Sequence, residues 1–390
     1  MLRCLTLRFL AAMAVAGVLL AQRPPVEKAW DQLAKGERKQ AIVTLREILQ
    51  THPGNADARL LLGSIFAEDH DREAIVQLTE AVRLRPQSAE AHNALGEAFI
   101  GFAETKMARP EFEKAIALDP AFAQAQVNIG RILVEAGEFG AAAKPLDHAL
   151  NILGKDPEAA WPHYLRAKVN TEQNEIKLAA AHLDKAVSLR PDFAEAWSDL
   201  GQARKTLLDD AGALAAFEKA VAAGPDDAIA QYRLGSEYLR RGETRLAVSH
   251  LRKAVAVNPD DQSALYALQT ALRRDGQPEQ ASHVKHQLTE LLHKRDKAAQ
   301  DALIGVQLNN QGAELEKSGN MRAALEKYRA ALELCPEHVG FRLNFAIALL
   351  RLGQWRQGIA ELREAARRDP ANTKIQAALQ RALAQAPREQ

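Results

Sequence analysis

The sequence has 390 residues with 51 Lys and Arg against 50 Asp and Glu, and aromatics make up only 5% of it. That balance, with no basic stripe and no interleaved aromatics, leaves a nucleic-acid partner without support. The two cysteines, Cys4 and Cys335, are too few for a thiolate zinc site and form no CxxC redox motif.

Residues 1–21 read as a targeting segment. Arg3 and Arg8 give a positive start, Phe9 to Leu20 is an uncharged and mostly apolar run, and Ala21 offers a small residue for cleavage. The run is shorter than the roughly twenty residues that a membrane-spanning helix needs. The expectation is an exported, periplasmic or secreted chain with no stable membrane span after cleavage. Cleavage after Ala16 and retention as an uncleaved inner-membrane anchor are the alternatives.

Beyond the leader, prolines recur at Pro53, Pro86, Pro120, Pro191, Pro225, Pro259, Pro336 and Pro370, mostly 33 or 34 residues apart. A second ladder of small residues runs in phase: Ala41, Ala74, Ala108, Ala142, Ala179, Ala213, Ala247, Ala281, Ala324 and Gly358. Four residues beyond most of these stands a bulky one, such as Leu45, Leu78, Phe112, Leu146, Phe217, Leu251 or Tyr328. Upstream, a Leu-Gly-like pair recurs at Leu62-Gly63, Leu95-Gly96, Ile129-Gly130, Leu200-Gly201 and Leu234-Gly235. Loop glycines at Gly36, Gly137, Gly242, Gly276, Gly319 and Gly353 divide several of the units. Strong helix formers fill the segments between these breaks, and no window alternates β-branched residues. Each unit therefore reads as two amphipathic helices. Glycine ends the first by accepting a left-handed conformation, and proline ends the second. No such pair buries its apolar face alone, so the units must stack.

This pattern resembles the tetratricopeptide-repeat family, which places Leu-Gly, a small residue, a large residue and proline in a helix–turn–helix of about 34 residues. The resemblance covers nearly everything after the leader. It implies an all-α, right-handed superhelical solenoid of about ten units with a C-terminal capping helix. The units fall at 26–54, 55–88, 89–122, 123–159, 160–193, 194–227, 228–261, 262–304, 305–338 and 339–372. This gives an array over 26–295, two further units over 305–372, and a cap and tail over 373–390.

Two units depart from the pattern. The fifth has Arg166-Ala167 for Leu-Gly and Asn170 where a large apolar residue belongs, after a short insertion near Gly154–Glu158. The eighth has Leu268-Gln269, and Lys285 falls where its second helix should bury a large side chain. Extra residues then run from about Arg295 to Leu303, so a hinge or one long helix is expected there.

No HExxH, phosphate-cradling glycine loop, Gly-x-Ser-x-Gly elbow or dinucleotide fingerprint is present. His283, His286, Glu290 and His293 share one helical face. Spread over about two turns, they cannot converge on one ion, so the reading is a solvated face without metal. No cofactor is expected and no catalytic residue is assigned.

The resemblance implies a non-catalytic protein–protein interaction scaffold or adaptor, and the leader is expected to direct it to the cell envelope. Its concave groove, lined by the first helix of each unit, would hold an extended peptide or a partner helix. A non-catalytic subunit of an envelope enzyme or of a secretion or assembly complex is the second reading, and an enzyme with an unrecognised site the third. In this register the groove shows Tyr164 and Lys168, Gln202 and Lys205, Tyr232 and Arg240, then Tyr266, Arg273 and Arg274. Three tyrosines among five cations suit a partner bearing carboxylates.

Overall fold

Helix packing begins from the ladder residues. A computed structural model describes residues 26–370 and 372–386, and the segment read as an export signal lies outside them. The described residues form twenty α-helices, one 3-10 turn and no strand. They belong to two compact units that divide between Val257 and Asn258.

The first unit holds seven consecutive helix pairs. These are α1 (Val26–Ala34) with α2 (Arg38–Thr51), α3 (Ala56–Glu68) with α4 (Glu73–Leu84), and α5 (Ala89–Gly101) with α6 (Thr105–Leu118). Next come α7 (Ala123–Glu135) with α8 (Phe139–Leu153), α9 (Ala160–Glu172) with α10 (Ile176–Leu189), and α11 (Ala194–Thr206) with α12 (Asp210–Ala223). The last pair is α13 (Ala228–Arg241) with α14 (Thr244–Val257). The second unit holds α15 (Gln262–Arg274), α16 (Pro278–Lys317), α17 (Met321–Leu334), α18 (Val339–Arg351), α19 (Trp355–Arg368) and the terminal α20 (Thr373–Gln385). Within each unit a helix packs on its neighbours in sequence, and several first helices also touch the first helix of the next repeat, as α3 touches α5 and α11 touches α13. Each unit is thus a stack of nearest-neighbour interfaces.

The small ladder is the seam of these pairs. Ala41, Ala74, Ala108, Ala142, Ala179, Ala213, Ala247 and Ala324 have no exposed surface, and the bulky residues four places on are buried beside them. All ten first-to-second turns pass through a residue of positive φ. Six of these are the loop glycines, and the others are His70, Ala103, Asn174 and Leu208.

The ladder proline has a partner that the repeat pattern did not reveal. In seven repeats the side chain six residues later donates to the proline carbonyl and ties the turn to the incoming first helix. The donors are Arg59 to Pro53 (3.0 Å), His92 to Pro86 (3.2 Å), Gln126 to Pro120 (3.3 Å) and Trp197 to Pro191 (2.8 Å). Gln231 to Pro225 (2.6 Å), Arg342 to Pro336 (2.7 Å) and Gln376 to Pro370 (3.2 Å) complete the set. The eighth repeat has Leu265 six residues after Pro259 and so has no side-chain donor there.

The irregular eighth repeat resolves into one helix. α16 runs 40 residues without a break and serves both as the second helix of that repeat and as the first of the next. The reason is local: no Gly or Pro stands between Pro278 and Gly305, and good helix formers fill the stretch. Its register has also rotated. Val284 and Leu288 are buried, while Lys285 is exposed.

Candidate binding surface

The first helices are joined side to side by polar contacts in a fixed register. Asn128, just before Ile129-Gly130, donates to Asn93 Oδ1 at 3.0 Å and to Glu97 Oε1 at 3.0 Å in the preceding repeat. Arg233, just before Leu234-Gly235, donates in the same way to Ser198 Oγ and Asp199 Oδ1, both at 2.8 Å. In the second unit Asn344 donates to Asn309 at 2.9 Å. These contacts set the spacing of neighbouring first helices on the face where the groove residues were read.

The structure distributes those residues unequally. Lys168 and Gln202 are exposed, and Tyr232 is half-buried. Tyr164, by contrast, is a core residue. Its ring centroid lies 5.4 Å from that of Trp161 and 4.9 Å from that of Phe193, and Lys168 Nζ sits 5.2 Å above it. Burial raises the phenol's pKa, and the nearby Asp199 carboxylate adds to the shift. The ring stiffens the face and offers little contact area of its own.

Lys205 and Arg240 are held by a carboxylate that was not singled out from the sequence. Glu237 is fully buried and receives Arg240 at 2.6 Å and Arg241 at 3.1 Å, with Lys205 Nζ at 3.7 Å. Burial alone would raise its pKa, but the hydrogen bonds from Arg240 and Arg241 outweigh that and lower it. Arg240 also pairs with Asp210 at 2.7 Å. Of the three cations read in this unit's groove, Lys168 is the one outside an ion pair among the described residues. The i,i+3 and i,i+4 spacing of Glu237 with Arg240 and Arg241 was a signal in the sequence. The approach of Lys205, from a different repeat, was not.

In the second unit Tyr266 is 64% exposed, and Arg273 and Arg274 are exposed beside it on α15. The histidine face on α16 lies in solvent, with His286 Nδ1 at 3.7 Å from Glu290. No group of three or more His, Cys, Asp or Glu side chains among the described residues could hold a metal ion. No described helix is long and apolar enough to cross a membrane.

Stacked two-helix units with small-on-large seams and a polar first-helix face define a helical-repeat scaffold. Models described as tetratricopeptide repeat match residues 89–122, 106–160, 164–228, 232–282 and 315–386, together more than half of the sequence. The chain belongs to the tetratricopeptide-repeat family, a fold that suggests a protein–protein interaction scaffold. The chain is also similar to solved structures. The chain is 21% identical to pilF of Pseudomonas aeruginosa, with a TM-score of 0.50, covering 54% of this chain and 95% of that one. It is 18% identical to PilW, described as a type IV pilus biogenesis factor, with a TM-score of 0.48 and coverage of 56% and 98%. A tetratricopeptide-repeat protein of Parabacteroides merdae is 16% identical, with a TM-score of 0.47 and coverage of 63% and 97%. No curated protein matches the sequence.

Proposed function

We propose that the chain is a non-catalytic scaffold of the bacterial envelope. It holds an extended peptide or a partner helix along the first-helix face of the fifth to seventh repeats. The observation that carries this is the placement of Lys168, Gln202 and Tyr232 on successive first helices, two of them exposed and the third half-buried. Lateral bonds such as Arg233 to Ser198 hold the sixth and seventh of those helices in register, so little ordering remains to be done on binding. Tyr232 supplies a rigid apolar ring, and Gln202 supplies an amide that can bond a peptide backbone. A partner carboxylate would meet Lys168 first, since Lys205 and Arg240 already share the Glu237 carboxylate.

A photoreactive residue placed at Gln202 or Tyr232 tests the reading in the native host. Crosslinks to one partner are expected there and not from Val76, which is 62% exposed on a second helix. Crosslinks from Val76 alone would place the partner elsewhere. The envelope location rests on reading residues 1–21 as an export signal, and N-terminal sequencing of the extracytoplasmic form should begin at Gln22, or at Gly17 if cleavage follows Ala16. An intact Met1 in the cytosol would sink that part.

A further inference from the structure

The turns between first and second helices line one edge of the first unit, and large apolar side chains stand in water along it. Met107 is 54% exposed, Leu178 52%, Leu208 88% and Leu246 45%. Met107, Leu178 and Leu246 each lie in the first turn of a second helix, directly before the ladder residues Ala108, Ala179 and Ala247. Side chains there lean toward the helix N-terminus, which is toward this edge. Each of the three also follows an exposed cation, giving Lys106-Met107, Lys177-Leu178 and Arg245-Leu246.

Leu208 breaks two rules at once. Its backbone sits at φ +64, a conformation that glycine supplies in six other repeats, and its side chain is almost wholly in solvent. Neither feature helps the fold, and such violations are most often kept where they serve a contact.

The charges along this edge are unevenly engaged. Glu104 pairs with Arg72, Glu138 with Arg109, and Asp210 with Arg240. Asp209 accepts the Gly212 amide, and Glu175 accepts the Asn170 side chain. Glu135 and Glu172 close first helices, on the other limb of the turn. Glu243 precedes α14 at a position where Glu104, Glu138 and Glu175 also stand before second helices, a place that the helix dipole favours for a carboxylate. Lys106, Lys177 and Arg245, in contrast, are in no ion pair among the described residues.

We propose that this edge docks on an anionic lipid surface. Leu178, Leu208 and Leu246 enter the headgroup region, and Lys177 and Arg245 meet lipid phosphates. A lipid surface suits apolar points spread over the turns of the third, fifth, sixth and seventh repeats, three of them beside a cation. A protein partner would favour one central patch with aromatic anchors. Insertion supplies apolar burial, and each cation near an anionic surface adds attraction that falls with salt.

The test uses the full chain with Cys4→Ser and Cys335→Ser. An environment-sensitive fluorophore is attached at Leu178→Cys, at Leu208→Cys or, as control, at Val257→Cys, a 54%-exposed position at the far end of a second helix. With phosphatidylglycerol vesicles, the probes at 178 and 208 should shift to the blue and be quenched by brominated acyl chains. The probe at 257 should stay in water whatever the N-terminal segment does. Lys177→Glu with Arg245→Glu should abolish the shift. Probes at 178 and 208 that remain in water, or a response as strong with phosphatidylcholine alone, would overturn the proposal. Protection of those probes by a membrane-free extract but not by vesicles would also overturn it and assign the edge to a protein.

Discussion

A methyl group added at Gly96 would stand 2.6 Å from Cε1 of Phe112, the large residue of the paired second helix. The same relation holds for Gly201 with Phe217 at 2.5 Å and Gly312 with Tyr328 at 2.7 Å. Where the first helix carries alanine instead, at Ala29, Ala167 and Ala346, the residue at the equivalent second-helix position is Leu45, Leu183 or Leu362. Glycine faces aromatic rings or leucine, and alanine faces only leucine. The two positions vary as one packing unit.

Gly96→Ala should therefore overpack the pair at a cost of about 1–3 kcal/mol, against a helix-propensity gain of roughly 1 kcal/mol. Adding Phe112→Leu should recover most of the loss by recreating the natural alanine–leucine pairing. Urea denaturation of the two single variants and the double variant gives the coupling directly. Additive effects would contradict the pairing.

Ala247 has no exposed surface at the seam between the helices of the seventh repeat. Ala247→Leu should cost about 1–3 kcal/mol. An unchanged melting temperature would show that the seam can open to admit the side chain.

Gln231 is fully buried, donates to the Pro225 carbonyl at 2.6 Å, and meets His250 Nδ1 at 2.7 Å. Gln231→Leu keeps the bulk and leaves the proline carbonyl without this donor, so a loss of about 1–3 kcal/mol is expected. Gln376→Leu removes the matching bond at an exposed site and should cost less. Equal losses at the two positions would argue that burial does not set the value of this bond.

Removing Arg240 strips one cation from the buried Glu237 and leaves Arg241 and Lys205 to hold it. Arg240→Ala should lower the melting temperature, because Glu237 stays buried with one cation fewer, while Gln202→Ala on the exposed face should stay within about 0.5 kcal/mol. Thermal melts of both variants separate a structural cation from a binding residue. For that reason, loss of partner capture on removing Arg240 would not by itself locate the groove.

His163 and His182 face each other in the fifth repeat with Nδ1 atoms 2.9 Å apart. Burial pushes the His163 pKa down to about 4, with His182 and Lys185 adding repulsion. His182 is lowered by burial, Arg166 and Lys185, and Asp147 partly offsets this. Folded pKa values below the unfolded value of about 6.5 mean that the unfolded chain binds more protons between them. Stability from this pair is thus present above about pH 6.5 and is lost as pH falls toward about 4. Melting temperatures should drop across that window, and less so in His163→Gln with His182→Gln. Identical pH profiles would remove the pair as the cause.

The core was legible because packing fixes residue size at a constant period, and size is what the alanine, glycine and proline ladders display. The donors to the proline carbonyls were hidden, since Arg59, His92, Gln126 and Trp197 share a geometry and no residue type. The groove was only half legible. Sequence shows that Lys205 and Arg240 are charged, yet their pairing with Glu237 depends partly on a neighbouring repeat. Tyr164 looked like a contact residue because the aromatic cluster that absorbs it closes through Phe193, 29 residues away at the far end of the same repeat.

The continuous helix α16 also changes how the second unit comes apart. A stacked array unfolds cooperatively because each repeat shares an interface with the next. From Leu292 to Ile304, however, nearly every residue faces solvent, and over that stretch the eighth and ninth repeats are connected by helical hydrogen bonds rather than by shared apolar area. Such a rod, about 60 Å long over its 40 residues, conducts orientation but little folding energy. The repeats on its two sides should melt as separate thermodynamic bodies, and amide exchange should be fastest midway along the helix, where a soluble protein ordinarily has no helix at all without a neighbour to lean on.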